Sequence, residues 1–288
     1  MGIKRAVIFG IKIIVLSFFL FVCYSIASLV VGLGNFTHPA NSIGVMMILL
    51  FVCTSQTLVL SYLIIRSRWT GYRLVITIFF VFYGVMTFLS QIETVVFLKY
   101  LTNIMSMEMA PKLFMQGAVI AALFSPVAVL IHGKMKVAEG SQEPSKPLII
   151  SWVEWSWKLI LIAVIYVVIY ISFGMFVFRP LVGEMFQKYY GDLQLPAWIL
   201  PLQIIRAIIW VALALPVIRM MKGRWWEIGL TVALLFSVLQ GFLLLLPNPY
   251  MPDAIRIGHF IEVSSSNFLF GWIIVWLLNR HFDSAQAI

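Results

Sequence analysis

Long apolar runs alternate with short polar stretches along the whole chain. Eight runs stand out, at about 7–31, 43–65, 73–98, 113–133, 152–178, 198–221, 226–246 and 257–279. Each is close to the roughly 20 residues that carry a helix across a hydrocarbon core of about 30 Å. Each also far exceeds the roughly 10 residues of a barrel strand, and none shows period-2 alternation. A helix satisfies its own backbone hydrogen bonds, which lipid cannot do for it. The pattern predicts an all-α, polytopic integral membrane protein with about eight transmembrane helices.

Composition agrees with this reading. Hydrophobic residues make up 62% and charged residues 11%, against about 45–50% and about 25% in water-soluble domains. Residues 1–31 read as a first span and not as a cleavable signal peptide, whose apolar region runs only about 7–15 residues. Ala6 stands where a myristoylation signal needs Ser or Thr.

The basic residues select an orientation. Segments on one side hold Lys4, Arg5, Lys12, Arg66, Arg68, Arg73, Lys134, Lys136, Lys146, Lys158, Arg219, Lys222, Arg224 and Arg280, which is 14 of the 20 Lys and Arg. The other side holds Lys99, Lys112, Arg179, Lys188 and Arg256, which is 5, and Arg206 lies within a span. The positive-inside rule places both termini in the cytoplasm, with the plasma (inner) membrane as the expected location. The net charge of +9 then describes a basic inner rim that attracts anionic lipid headgroups. Nucleic-acid binding is not expected, because no soluble basic domain exists to do it.

The longest polar stretch, from Gly133-Lys134 to Lys146-Pro147, splits the chain into 1–133 and 150–288 around a cytoplasmic linker at 134–149. The halves carry parallel features. Lys12 matches Lys158, Ser67-Arg68-Trp69 matches Gly223-Arg224-Trp225, and Phe124-Ser125 matches Phe270-Gly271. Two parallel four-helix repeats, related by an axis along the membrane normal, would produce this. Interfacial Trp and cytoplasmic Arg in every inner loop would produce part of it without any duplication.

Ionisable groups within spans are unfavourable by about 2.5–3.5 kcal/mol at the bilayer centre on insertion scales. Lys12 and Lys158 lie near the inner face, where long stems snorkel. Glu154 and Glu227 sit in aromatic interfacial segments. Arg206 lies about eight residues into the sixth span, about 12 Å deep, with Gln203 one turn earlier on the same face. It should face the bundle and meet an acid or a substrate anion. Two acids lie in the outer halves of their spans, Glu93 in the third and Glu262 in the eighth. His259, Glu262 and Ser266 share one helical stripe. Arg206, Glu93, Glu262, His259, Gln203 and Ser266 therefore form the candidate binding site. A structural clamp between Arg206 and one acid is the competing reading.

Other polar groups carry weaker signals. Thr54, Thr57 and Ser61 in the second span, and Tyr166 and Tyr170 in the fifth, read first as interhelical hydrogen-bonding groups. Pro126, Pro201 and Pro216 read as kinks. Cys23 and Cys53 read as apolar packing residues. Asn35-Phe36-Thr37 forms a glycosylation sequon on the outer side. The four His (His38, His132, His259, His281) are scattered, and no metal, haem or nucleotide-binding motif occurs, so no cofactor is expected. A Ser/His/Glu triad drawn from Ser264–Ser266, His259 and Glu262 would have to come from one helix, which is poor geometry for a triad.

Three functions fit these residues. The first is a carrier or permease for a small solute, anionic or neutral, bound in an outward-facing polar cavity, with the acids balancing charge or carrying a proton. The second is a membrane-embedded enzyme acting on a lipid or lipid-linked substrate at the outer leaflet, with Glu262 or His259 as general base. The third is a non-catalytic subunit of a membrane complex.

Overall fold

A computed structural model describes residues 3–33, 43–98, 108–136, 151–191, 196–248 and 251–279. The Asn35-Phe36-Thr37 sequon, most of the linker after Lys136, and Lys99, Lys146, Arg280, His38 and His281 lie outside the described residues. The helices are α1 (Ile3–Val30), α2 (Ile43–Ile65), α3 (Gly71–Tyr83), α4 (Leu89–Leu98), α5 (Met109–Ile131), α6 (Trp152–Phe173), α7 (Arg179–Val182), α8 (Glu184–Tyr190), α9 (Ile199–Met220), α10 (Trp225–Gly241) and α11 (Asp253–Asn279). π-helical turns at Gly84–Phe88 and Gly174–Phe178 join α3 to α4 and α6 to α7.

These helices make eight continuous stretches long and apolar enough to cross a membrane. Several outrun the expected limits. The first begins at Ile3, the fourth at Met109 and the eighth at Asp253, and the fifth continues through its π turn to Val182. Polar terminal residues hid these ends, since a helix continues past its apolar stretch wherever no breaker intervenes.

The exterior is apolar along the spans. Ile11, Ile14, Phe18 and Val22 on α1, and Ile204, Ile205 and Ile208 on α9, are exposed. Such stripes suit acyl chains better than water. Inside, large rings fill the bundle: Trp210 lies 4.2 Å from Phe236, Tyr166 4.7 Å from Phe270, and Phe82 5.6 Å from Phe124, between centroids.

Association inside lipid depends on close packing and small residues. The most extensive contact, α10 on α11, shows this. A Cβ on Gly271 would stand 2.9 Å from Ala233 Cα and 3.0 Å from the Val232 carbonyl oxygen, so the two backbones nearly touch. Within the first half, α1 packs on α2 and α5, and α3–α4 on α5. Within the second, α6 packs on α9, α6–α7 on α11, and α10 on α11. The first span of each half thus meets its second and fourth, and the third meets its fourth. The halves join where α10 packs on α2 and α9 on α3.

At the face that holds the chain termini, the loops after α2 and α9 pair as an antiparallel bridge between Ser67 and Met221. Arg68 N–H donates to the Met220 carbonyl at 2.6 Å, and Lys222 N–H donates to the Arg66 carbonyl at 2.8 Å. The two bonds exchange under a local two-fold rotation. That rotation equates Arg68 with Lys222, not with the Arg224 that the sequence parallel suggested. Arg66 also pairs with Glu227 at 2.9 Å, and Glu227 accepts the Arg224 N–H at 3.1 Å.

Two expectations need correction. Lys158 does not snorkel to water: it is fully buried and pairs with Glu154, one turn earlier, at 2.6 Å. Pro201 lies in the first turn of α9, where no intrahelical donor is lost. Pro126 and Pro216 do lie inside α5 and α9.

His132 follows α5, and burial, followed by the nearby Lys12 charge, pulls its pKa down from 6.5 to about 4. The folded protein therefore resists a proton that the unfolded chain accepts. The stabilisation is complete above about pH 6.5 and is lost as pH falls toward about 4. Thermal midpoints in detergent should fall between those values, and His132→Gln should flatten that fall; an unchanged slope would contradict the assignment. Gly271→Ala should destabilise by about 1–3 kcal/mol through overpacking against backbone. Gly10→Ala, with nothing within 4 Å of the added Cβ, should be neutral or stabilising in the same melts. Equal effects would mean that the α10–α11 seam tolerates separation.

Candidate functional site

An arginine buried inside an apolar helical bundle needs partners, and α9 supplies the first. Gln203 precedes Arg206 by one turn, and its Oε1 accepts from Arg206 Nη1 at 2.8 Å. The α4 helix supplies the second. Glu93 Oε1 receives Nη1 of the guanidinium directly and the Gln203 side-chain amide at 3.4 Å. The Leu89 carbonyl accepts from Nη2 at 3.4 Å. The guanidinium carbon stands 5.9 Å from the Tyr166 ring centroid, within cation–π range. Tyr166 is itself held by Trp210, whose ring N–H donates to the phenol oxygen at 3.4 Å.

The pair is asymmetric. The Arg206 side chain is 3% exposed and the Glu93 side chain 29%. The cation is sealed in protein, whereas its carboxylate has one side open. The π turn at Gly84–Phe88 lies immediately before Leu89 and Glu93. Such a turn shifts the register of every later residue on that helix, and so contributes to aiming α4 at α9.

His259 and Glu262 form a second pair on α11. His259 Nδ1 lies 2.9 Å from Glu262 Oε2, and Nε2 lies 2.8 Å from the Tyr190 hydroxyl. One tautomer satisfies both contacts: Nδ1–H donates to the carboxylate, and Nε2 accepts from the phenol. Burial, with smaller contributions from Tyr189, Glu262 and Glu93, pushes the Tyr190 phenol well above its ordinary pKa, so it remains a donor. Phe178, in the second π turn, stacks on the imidazole at 4.0 Å with an interplanar angle of 16°.

No bond joins Arg206 directly to Glu262 among the described contacts. Ser266 turns away, donating to the Val263 carbonyl of its own helix at 3.3 Å. No serine from Ser264 to Ser266 bonds His259, whose second partner comes from α8.

Sequence reasoning overlooked Tyr190 and Phe178. Tyr190 lies in a short helix outside every apolar run, where no periodic signal marks it. The Tyr189-Tyr190 doublet beside a polar turn was the available hint. Thr54 bonds its own helix at the Leu50 carbonyl and makes no interhelical bond. Cys23 and Cys53 are free and buried. Among the described residues, no group of three or more His, Cys, Asp and Glu is arranged to hold a metal. An apolar groove lined by Ile76, Phe80, Val81, Ile209, Leu213 and Pro216 lies between α3 and α9, away from this cluster.

The fold, an all-helical bundle with eight helices long and apolar enough to cross a membrane, is compatible with a multi-pass membrane protein. Comparison of the chain with known protein families, with curated proteins and with solved structures gives no match in any of the three.

The burial asymmetry makes a prediction. Glu93→Gln strands a sealed cation, whereas Arg206→Gln strands a carboxylate with an open side. Breaking a buried pair costs about 3–5 kcal/mol at most. Glu93→Gln should therefore lower the thermal midpoint in detergent more than Arg206→Gln, and the double variant should recover part of the loss. The reverse order would mean that the cation has its own route to water.

Proposed function

We propose that the protein is a carrier for a small anionic solute, with Arg206 as the anion receptor and Glu93 as its resting counter-ion. The carrying observation is the sealed guanidinium under a half-open carboxylate. A permanent clamp has no need of an open side, and it has no need of a second ionisable pair on another helix. In this reading, an anion replaces Glu93 on Arg206, with Gln203 as its neutral second contact. Glu262, oriented by His259, balances the change in charge or carries a proton.

The positive-inside distribution supports cytoplasmic termini and a site that opens outward through the plasma membrane. The basic inner rim would lie against anionic lipid headgroups. The shared packing order of the two halves supports a parallel 4+4 repeat. Such an arrangement sets sites near the interface of the halves, and the Arg206–Glu93 pair spans that interface.

One observation favours a second reading. His259 is held at Nδ1 by a carboxylate, the arrangement that orients a general base. An enzyme acting on a lipid-linked anion would use Arg206 as its phosphate or carboxylate binder. Turnover of such a lipid in detergent, where no transport is possible, would select it.

Glu93→Ala leaves a carboxylate-sized space over Arg206. Acetate, propionate or inorganic phosphate should raise the thermal midpoint of Glu93→Ala in detergent well beyond any effect on Glu93→Gln, whose amide fills that space. Wild-type proteoliposomes should take up an anion from the same panel, and Arg206→Gln should abolish uptake while the protein stays folded. Absence of anion stabilisation in Glu93→Ala, together with collapse of Arg206→Gln and rescue by Glu93→Gln, would establish the clamp instead.

A further inference from the structure

The α8 helix rests on the bundle through one face. Met185, Phe186, Tyr189 and Tyr190 are half-buried, Glu184, Gln187 and Lys188 are exposed, and none is fully buried. Phe186 and Tyr190 meet Phe178 edge-on at 6.1 and 6.0 Å, and the Arg179 guanidinium lies 5.4 Å from the Phe186 ring. Met185 and Tyr189 pack with them against the buried Phe178, Val182 and Ile255, and the Tyr190 hydroxyl adds a polar anchor on His259 Nε2. An element with no fully buried residue opens at lower free energy than the core beneath it.

Its other end is a hinge. A single residue, Gly183, separates α7 from α8, with φ 57° and ψ −132°. That backbone region belongs almost wholly to glycine. Nothing stands within 4 Å of a Cβ built there, so a side chain would meet open space and only the backbone would resist it. On the fixed side, α7 is anchored. Val182 and Phe178 are buried with Ile255, and the absence of a side chain at Gly258 lets α11 approach them.

Tyr190 bonds the imidazole that holds Glu262. We propose that α8 is a lid over the His259–Glu262 pair, hinged at Gly183 and latched by the hydrogen bond from Tyr190 to His259. Closed, it shields one side of the imidazole and occupies its second nitrogen. Open, it exposes that nitrogen and the Glu262 carboxylate to solute. The lid rests on the reading of this pair as part of the working site, but its opening is measurable without any transported solute.

The test is the rate at which diethyl pyrocarbonate modifies His259 in the full-length protein in detergent, read by mass spectrometry with His132 as internal reference. Tyr190→Phe removes the latch but also frees Nε2 directly. Gly183→Ala touches neither His259 nor its partners, and acts only by disfavouring the closed backbone. Gly183→Ala should raise the His259 rate by roughly an order of magnitude, the scale set by a left-handed conformation in a residue with Cβ. Tyr190→Phe should raise it at least as much, and both should speed amide exchange across Glu184–Tyr190. An unchanged His259 rate in Gly183→Ala, whatever Tyr190→Phe does, overturns the lid. Failure of the anion experiments with an intact Gly183→Ala effect would instead discard the carrier and keep the moving helix.

Discussion

A guanidinium sealed inside a lipid-facing bundle constrains everything near it. Arg206 cannot lose its proton under ordinary conditions, and the side chain is almost fully covered. The surrounding chain therefore has to supply acceptors from several directions. Gln203 comes from the same helix, Glu93 and the Leu89 carbonyl from the third span, and the Tyr166 face from the fifth. Three spans are thereby fixed relative to one another by a single charge. Low local dielectric strengthens these contacts, and it makes any missing one correspondingly damaging.

That constraint is met within a bundle held by shape. Lipid offers no hydrophobic drive for helices to associate, so backbones approach where small residues permit. Gly271 on Ala233 shows the closeness this allows. Polar fastening adds to this within the spans, as where Tyr24 donates to Gln56 and Asn267 to Gln240, and at the ends: the Ser67–Met221 bridge at one face, and Arg256 holding the Leu244 and Leu245 carbonyls at 2.8 and 2.6 Å at the other. Arg256 thus satisfies the carbonyls left open where the seventh span ends. The two faces differ in kind. One is locked by backbone pairing; the other carries the His259–Glu262 pair and a short helix packed on aromatic edges.

Much of the architecture is legible in hydropathy, because each span is its own local decision about lipid and water. Eight runs predict eight helices, and their ends slip only where polar residues continue a helix past its apolar stretch, as at Met109 and Asp253. In the cluster, the need of Arg206 for company is legible, and so is Gln203 at one turn's distance. Which acid answers is not, since Glu93 and Glu262 lie at similar depth and only packing separates them. Lys158 was misread because a stem near the interface can either snorkel or be covered, and α6 covers it. Tyr190 and both π turns left no periodic trace. They arise from tertiary fit, with Gly84 and Gly174 at the turns as faint markers.

The central claim is that a replaceable counter-ion, not a permanent one, sits on a buried arginine. The most direct test is a density map of the wild-type protein in lipid nanodiscs, recorded with and without a saturating small carboxylate or phosphate. The account predicts density for the anion against the Arg206 guanidinium, with the Glu93 carboxylate turned aside toward its open face. A map in which Glu93 stays on Arg206 under both conditions, with protein atoms closing every side of the guanidinium, would contradict it.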